Sequence, residues 1–501
     1  MRELSTQEKL EDLRYLFEVF RDNHPYLALK ARVEGSDWLA SLPEFEAWVR
    51  AAGGNQEFAR AMKRIVALVN NGHTAIVGGR QWDYLKGLPR PWAREGEKTS
   101  RETVDYWFRL AQDDPLRPDP FLAVYHAGDY VVVEVAPAEE TQARVRVGSR
   151  VLAVDGVPVH RYVNAHRGRG FLWYDPLRQG CFDEVLKLTG AADTVTVTLE
   201  EPDGRGSETE LPRPALHWPM SYRPLPWYGE GNRVLTAVIG QGKVGYVRVP
   251  QMAADAGQDK AMLFEFFQSV RDLPSLIIDI RGNGGGNDDY WTQNLVGLLG
   301  RAERVRKPRS KLYVTWRTGR FLKPFVEAKG LTMLPPVPPD AIPPGVLPPE
   351  LLAPGFESPR HFEYPIDTSS AVGYRGKVFL LVDRGVYSSA ESFAAFCKAT
   401  GWATVVGGCT GGDGIGHDPA VVALPNSGML VRFPLTMGLN ADWSVNEEAH
   451  TRPDVLVEQS REDLVKYVEL LRSRGTLPGP TPEVDTCLRR CLEMCLEEGG
   501  C

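Results

Sequence analysis

Apolar residues recur at helical spacing in "EKLEDLRYLFEVFRDNH", where Leu10, Leu13, Leu16, Phe17 and Phe20 share one face. The stretch "NQEFARAMKRIVALVNNGHTAIV" repeats that period and breaks at Asn71-Gly72, just before His73. Residues 1–95 are therefore expected to form a helical region. From 118 to 205 the pattern shortens to β segments, "FLAVYHAGDYVVVEVA", "SRVLAVDGVPV" and "DTVTVTLEEP". Between 225 and 460 strand and helix alternate. "SLIIDI" is a fully apolar strand, "DDYWTQNLVGLLG" a helix, "KLYVTW" and "KVFLLVD" strands, "SAESFAAFCKAT" a helix and "ATVVG" a strand. That order predicts an α/β core, a mostly parallel sheet with helices on its faces. A Pro-rich stretch at 334–355 interrupts it as an extended surface insertion. Residues 461–501 end in "TCLRRCLEMCLEEGGC", which places Cys487, Cys491 and Cys495 four apart beside Leu488, Leu492 and Leu496, with Cys501 beyond. On a helix this is a small apolar face that docks on another element, and the spacing matches no zinc pattern.

Composition narrows the classes. A chain of 501 residues is too long for one core and predicts two to four domains. A net charge of −7 offers no basic surplus to neutralise phosphates, which argues against a nucleic-acid partner. No run reaches the apolar length of a membrane span. The charged, amphipathic start lacks the apolar run of a signal peptide, so the expected location is the cytoplasm. Seven cysteines, an odd number, fit reduced thiols better than a disulfide framework.

Two stretches carry chemistry. In "LIIDIRGNGGGNDDYW", four of the five residues 282–286 are glycine, directly after a buried strand. Backbone N–H groups can converge there in a nest for a phosphate or an oxyanion. The dinucleotide pattern fails, because Gly282 and Gly284 are followed by Asn287 at the third position. The oxyanion reading is favoured. In "YSSAES", Ser388 and Glu391 make the Ser-x-x-Glu spacing of a helix capping box. The same strand-to-helix turn also exposes nucleophilic serines. Taken alone, the stretch favours the cap. A nucleophile would need a base. Lys398 lies about 15 Å up the same helix at 1.5 Å per residue, and Lys466 falls beyond the core, so that base should be a histidine. His73, His417 and His450 are the candidates, with Glu447 or Glu448 as the carboxylate that orients it.

Resemblance changes the balance. "VRVGSRVLAVDGVPV" resembles the core of a PDZ domain, a module that binds extended peptide ends by adding them as a strand. "LIIDIRGNGGG", "VFLLVDRGVYSSAESFAAFCKATGWATVVGGCTGG" and "NEEAHTRPDVLV" together resemble the tail-specific, or C-terminal-processing, serine peptidases. That resemblance implies a Clp protease/crotonase-like catalytic core at 225–460, a PDZ-like β-rich domain at 118–205 and the N-terminal helical region. Carried over by position, the nucleophile falls on Ser388. The oxyanion donors fall on a glycine of the nest (Gly284, Gly285) and on the N–H of Ser389. Many members pair the serine with a lysine in "T-x-G-K-G", whereas here "TGGDGIG" puts Asp413 at that place. A Ser–Lys dyad is thereby excluded. The tricorn-like branch instead uses a histidine in "G-H-T", matching Gly72-His73-Thr74, and a glutamate six before Pro-Asp, matching Glu447.

The expectation is a serine endopeptidase using Ser388, His73 and Glu447 on unstructured or C-terminal peptide segments, which the PDZ-like region would capture. Peptides or unfolded proteins would be its partners, with neither nucleic acid nor membrane involved. No cofactor and no metal are implied, and a homo-oligomer is compatible with the reading. The alternative is a catalytically inactive peptide- or apolar-ligand-binding protein on the same scaffold. A nucleotide-binding α/β enzyme comes third, lacking a complete glycine fingerprint and a P-loop lysine.

Overall fold

The computed structural model describes residues 1–85, 99–113, 117–190, 192–229, 233–252, 256–300, 309–417 and 419–497; Cys501 lies outside them. At its centre stands a six-stranded sheet in the order Leu235–Ile239, Val244–Arg248, Ser275–Asp279, Lys377–Val382, Thr404–Gly407, Val455–Leu456. All pairs are parallel except the first, which is an antiparallel hairpin. Every residue of Ser275–Asp279 is buried, as a strand covered on both faces requires. On one face Leu276, Ile278, Leu380 and Val382 pack against Trp291, Leu295, Phe393 and Cys397 from the helices after the nest and after Ser388. On the other, Ile277, Phe379, Leu381 and Val406 meet Leu488, Cys491 and Cys495 of the tail helix Thr486–Glu497. The cysteine stripe thus seals the sheet's second face, and the six described cysteines are buried free thiols.

Of the N-terminal helices Thr6–Asn23, Leu27–Glu34, Leu42–Ala51 and Asn55–Ala67, the first and the fourth follow the apolar period read in the sequence. Ser5 and Glu8 form a reciprocal capping box at the start of the first. Their core continues into Ala420, Val422, Val431 and Phe433, and the short strand Ala75–Ile76 pairs with Leu430–Phe433. His73 is carried to the core by that pairing. The β-rich region folds as a separate antiparallel sheet in the order Phe121–His126, Asp129–Val135, Arg150–Val154, Thr194–Glu200, Gly206–Pro212. A hairpin of Trp173–Asp175 and Gly180–Phe182 projects from it. The Pro-rich insertion sits between the paired strands Arg309–Thr315 and Arg360–Pro365. It is anchored rather than loose: Val337 belongs to a buried cluster with Tyr26 and Trp443, and the buried Glu350 carboxylate accepts from Arg32 at 2.6 Å. Among the described residues, no helix is long and apolar enough to cross a membrane.

Candidate active site

Ser388 lies where the strand Lys377–Val382 turns into the helix Ser389–Thr400. Its φ is 55° and its ψ −128°, a left-handed conformation rare for a side-chain-bearing residue. The hydroxyl makes no capping hydrogen bond, and Glu391 turns away to accept from Asn446 at 2.7 Å and Thr451 at 2.6 Å. The capping box is therefore absent. The strained turn presents the Ser388 hydroxyl outward at a helix N-terminus instead.

The Ser388 Oγ stands 3.2 Å from Nε2 of His73, and Nδ1 of His73 stands 2.7 Å from Oδ2 of Asp413. A carboxylate can only accept, so the ring proton sits on Nδ1 and Nε2 is left to accept from the serine. Asp413 is held by three more donors: Asn71 Nδ2 at 2.7 Å, Tyr26 OH at 2.9 Å and Tyr387 OH at 3.0 Å. Burial works to raise its pKa. The electrostatic pull of the His73 ring and the hydrogen bonds from His73, Asn71 and Tyr26 outweigh it and hold the carboxyl below its ordinary range.

Glu447 does not take the place expected for it. It is buried, with Oε1 2.6 Å from Lys30 Nζ and 3.2 Å from Asn71 Nδ2, and its recorded partners do not include His73. Burial, and after it the neighbouring Asp413 charge, push its carboxyl up to about 8 against the pull of Lys30. Lys30 bridges Glu447 and Glu34, which Arg167 also holds at 2.9 Å, so Glu447 is committed to this buried ion cluster and not to the imidazole. The imidazole is oriented by Asp413, from the loop where the resemblance reads a lost lysine. Of the other candidate histidines, His450 is buried with Nδ1 2.6 Å from the Thr410 carbonyl, and burial pushes it down to about 4. Glu448 pairs with Arg32. Lys398 pairs with Asp454 and Lys466 with Glu462.

The glycine nest lies against Ser388. A Cβ on Gly285 would fall 2.7 Å from Ser388 Cβ, and one on Gly286 would fall 1.6 Å from the Met252 carbonyl oxygen. Both residues have positive φ, 101° and 147°, so glycine is required twice over. The Gly285 N–H is not available as a donor, since it already bonds Asn283 Oδ1 at 2.9 Å. Among the described residues the N–H groups of Gly284 and Ser389 have no recorded acceptor, and Gly284 is exposed. The nest is anchored from below. Arg281 is buried in an ion triad with Asp279 at 2.6 Å and with Asp485, bidentate at 2.8 Å, just before the tail helix. Phe171 and Trp173 form a second wall, their rings 6.2 and 5.8 Å from Tyr387.

Sequence reasoning missed Asn71, Tyr26, Tyr387 and the role of Asp413. Asn71 adjoins the histidine and Tyr387 the serine, so proximity was a usable signal for both. Tyr26, 387 residues from Asp413, left none.

Residues 243–457 match the sequence pattern of Peptidase family S41. No curated protein matches the chain. Among solved structures, mature CPAF complexed with lactacystin is similar at 15% identity, covering 93% of this chain and 97% of that one, with a TM-score of 0.55. Mature CPAF alone gives 15% identity, 94% and 99% coverage and the same TM-score of 0.55. A putative peptidase from Parabacteroides merdae is similar at 14% identity, 94% and 98% coverage and a TM-score of 0.46. The CPAF structures share this fold. The segment that matches peptidase family S41 carries Ser388, Asp413 and the glycine nest, and this match supports a serine peptidase.

Proposed function

We propose that the chain is a serine endopeptidase that cleaves peptides or unfolded protein segments through an acyl-enzyme on Ser388, with His73 as base and Asp413 as its orienting carboxylate. The observation that carries this reading is the line of contacts from Asp413 through His73 to Ser388, at 2.7 and 3.2 Å. His73 Nε2 takes the Ser388 proton as Oγ attacks the scissile carbonyl, then returns it to the leaving amine. Asp413 keeps the proton on Nδ1 and stabilises the imidazolium that forms. The N–H groups of Gly284 and Ser389 receive the oxyanion, reinforced by the N-terminus of the helix Ser389–Thr400. Water then repeats the cycle on the acyl-enzyme. Glu447 is left outside the proton path, its carboxyl neutral beside the charged Asp413.

Digestion of an unstructured peptide mixture, read by mass spectrometry, tests the proposal. Wild type should cut, and Ser388→Ala, with an unchanged circular dichroism spectrum, should not. Cleavage retained in Ser388→Ala would overturn the assignment.

A further inference from the structure

Strand addition requires a sheet edge with unpaired N–H and C=O groups. The six-stranded sheet of the β-rich region ends its main path in two long edges, Phe121–His126 and Gly206–Pro212, with the two-residue strand Val157–Pro158 paired beside Arg150–Val154. The first is already occupied. Tyr125 N–H donates to the Glu184 carbonyl at 3.0 Å, Leu186 N–H donates to the Ala123 carbonyl at 2.9 Å, and Val124 faces Val185 in an antiparallel bridge. Residues 184–186 thus stand where an incoming peptide would lie.

Side chains lock this segment in place. Leu186 and Leu188 are buried in the core of the β-rich region, and Val185 packs on a second cluster around Val124 and Tyr467. The Glu184 carboxylate accepts from Arg384 at 2.7 and 2.8 Å. Arg384 also donates to the Tyr125 carbonyl at 2.6 Å, and its guanidinium lies 5.5 Å from the ring centres of Tyr125 and Phe182. The opposite edge is guarded differently. Gly206–Pro212 carries Glu208 and Glu210, and the Glu210 carbonyl accepts from Arg144 at 2.8 Å. Charges on an edge strand oppose pairing with a further chain.

We infer that the β-rich region does not capture substrate ends: its peptide edge is filled by residues 184–186 of the same chain, and the peptidase cuts internal segments without regard to the substrate's C-terminal carboxylate. The filled edge serves as a brace, because Arg384 sits four residues before Ser388 and ties that edge to the turn presenting the nucleophile. This corrects the capture role expected from the sequence and rests on the peptidase reading above.

Two peptides of one sequence, one ending in a free carboxylate and one in an amide, test the inference. A recognised carboxylate is worth roughly tenfold or more in affinity, given about 1.5–3 kcal/mol per hydrogen bond to a charged group. Wild type should cleave both with kcat/KM values well within that factor of each other. A tenfold preference for the free acid would overturn the inference while leaving the peptidase intact. Ser388→Ala protein, titrated with both peptides carrying an N-terminal fluorophore, decides the edge without turnover. Equal binding of the two, or none, supports the filled edge, and saturable binding of the acid alone overturns it. If wild type cleaves neither peptide, the peptidase reading fails, and the titration still reports on the edge.

Discussion

Asp413 and Glu447 are both buried carboxylates, and one amide, Asn71 Nδ2, donates to the two of them at 2.7 and 3.2 Å. Their protonation runs in opposite directions. Asp413 collects the His73 ring, two tyrosine hydroxyls and the amide, and is held below its ordinary range. Glu447 shares Lys30 with Glu34, faces the Asp413 charge, and is pushed up to about 8. The difference lies in how many donors reach each group. Two adjacent buried carboxylates rarely ionise together, so the one with more donors takes the charge and with it the post beside the imidazole.

The sharpest way to break this comparison is to neutralise each carboxylate in turn. Asp413→Asn should lower kcat by on the order of 10³–10⁴, because the amide favours the wrong imidazole tautomer. Glu447→Gln should cost less than about tenfold, as expected for a side chain that leaves the triad contacts in place. Steady-state kinetics on one fluorogenic peptide would check both. A reversed ranking would return the orienting role to Glu447.

Stability against pH sharpens the same contrast. The folded state holds the Glu447 proton up to about 8, whereas an unfolded glutamate releases it near 4.3. Folding therefore takes up a proton between those values, and the Glu447 contribution to stability is full below that window and lost as pH rises through it. Melting temperatures measured from pH 5 to pH 9 should show Glu447→Gln gaining on wild type as pH rises. A difference independent of pH would mean that Glu447 is ionised throughout.

A smaller effect is expected at Tyr26. Tyr26→Phe removes the donor on Asp413 Oδ1, worth about 1 kcal/mol. The kcat should fall roughly fivefold with KM unchanged, since a 1.4 kcal/mol change is tenfold. The acidic limb of the pH–rate profile should also move up, because Asp413 loses part of what holds it ionised. A change in KM alone would place Tyr26 in substrate binding.

Legibility in the sequence followed locality. The apolar run before "YSSAES" and the glycines of "RGNGGG" encode strand, turn and nest within a few residues, and the structure uses them that way. The Ser-x-x-Glu spacing misled when read alone. It describes a capping box only if Ser388 is extended, and a φ of 55° points its hydroxyl elsewhere. Asp413 was visible as a departure from the lysine pattern, but its role depends on His73, 340 residues away, and on Tyr26 further still. No local period records such convergence. The β-rich run was equally plain in "FLAVYHAGDYVVVEVA", whereas its filled edge rests on one isolated bridge in "DEVLK", too short for any alternation to show.

The buried Arg281 has a consequence for a shortened chain. Ser388, His73, Asp413 and the nest all precede residue 458 in the chain, yet Arg281 beneath the nest is matched by Asp485, and the sheet's second face is closed by the helix Thr486–Glu497. A chain that ends at residue 457 holds every group of the proposed triad but leaves that face open to water and Arg281 short of one counter-ion. Removing residues 485–497 should therefore lower the melting temperature and the cleavage rate together, although every group of the proposed triad is kept.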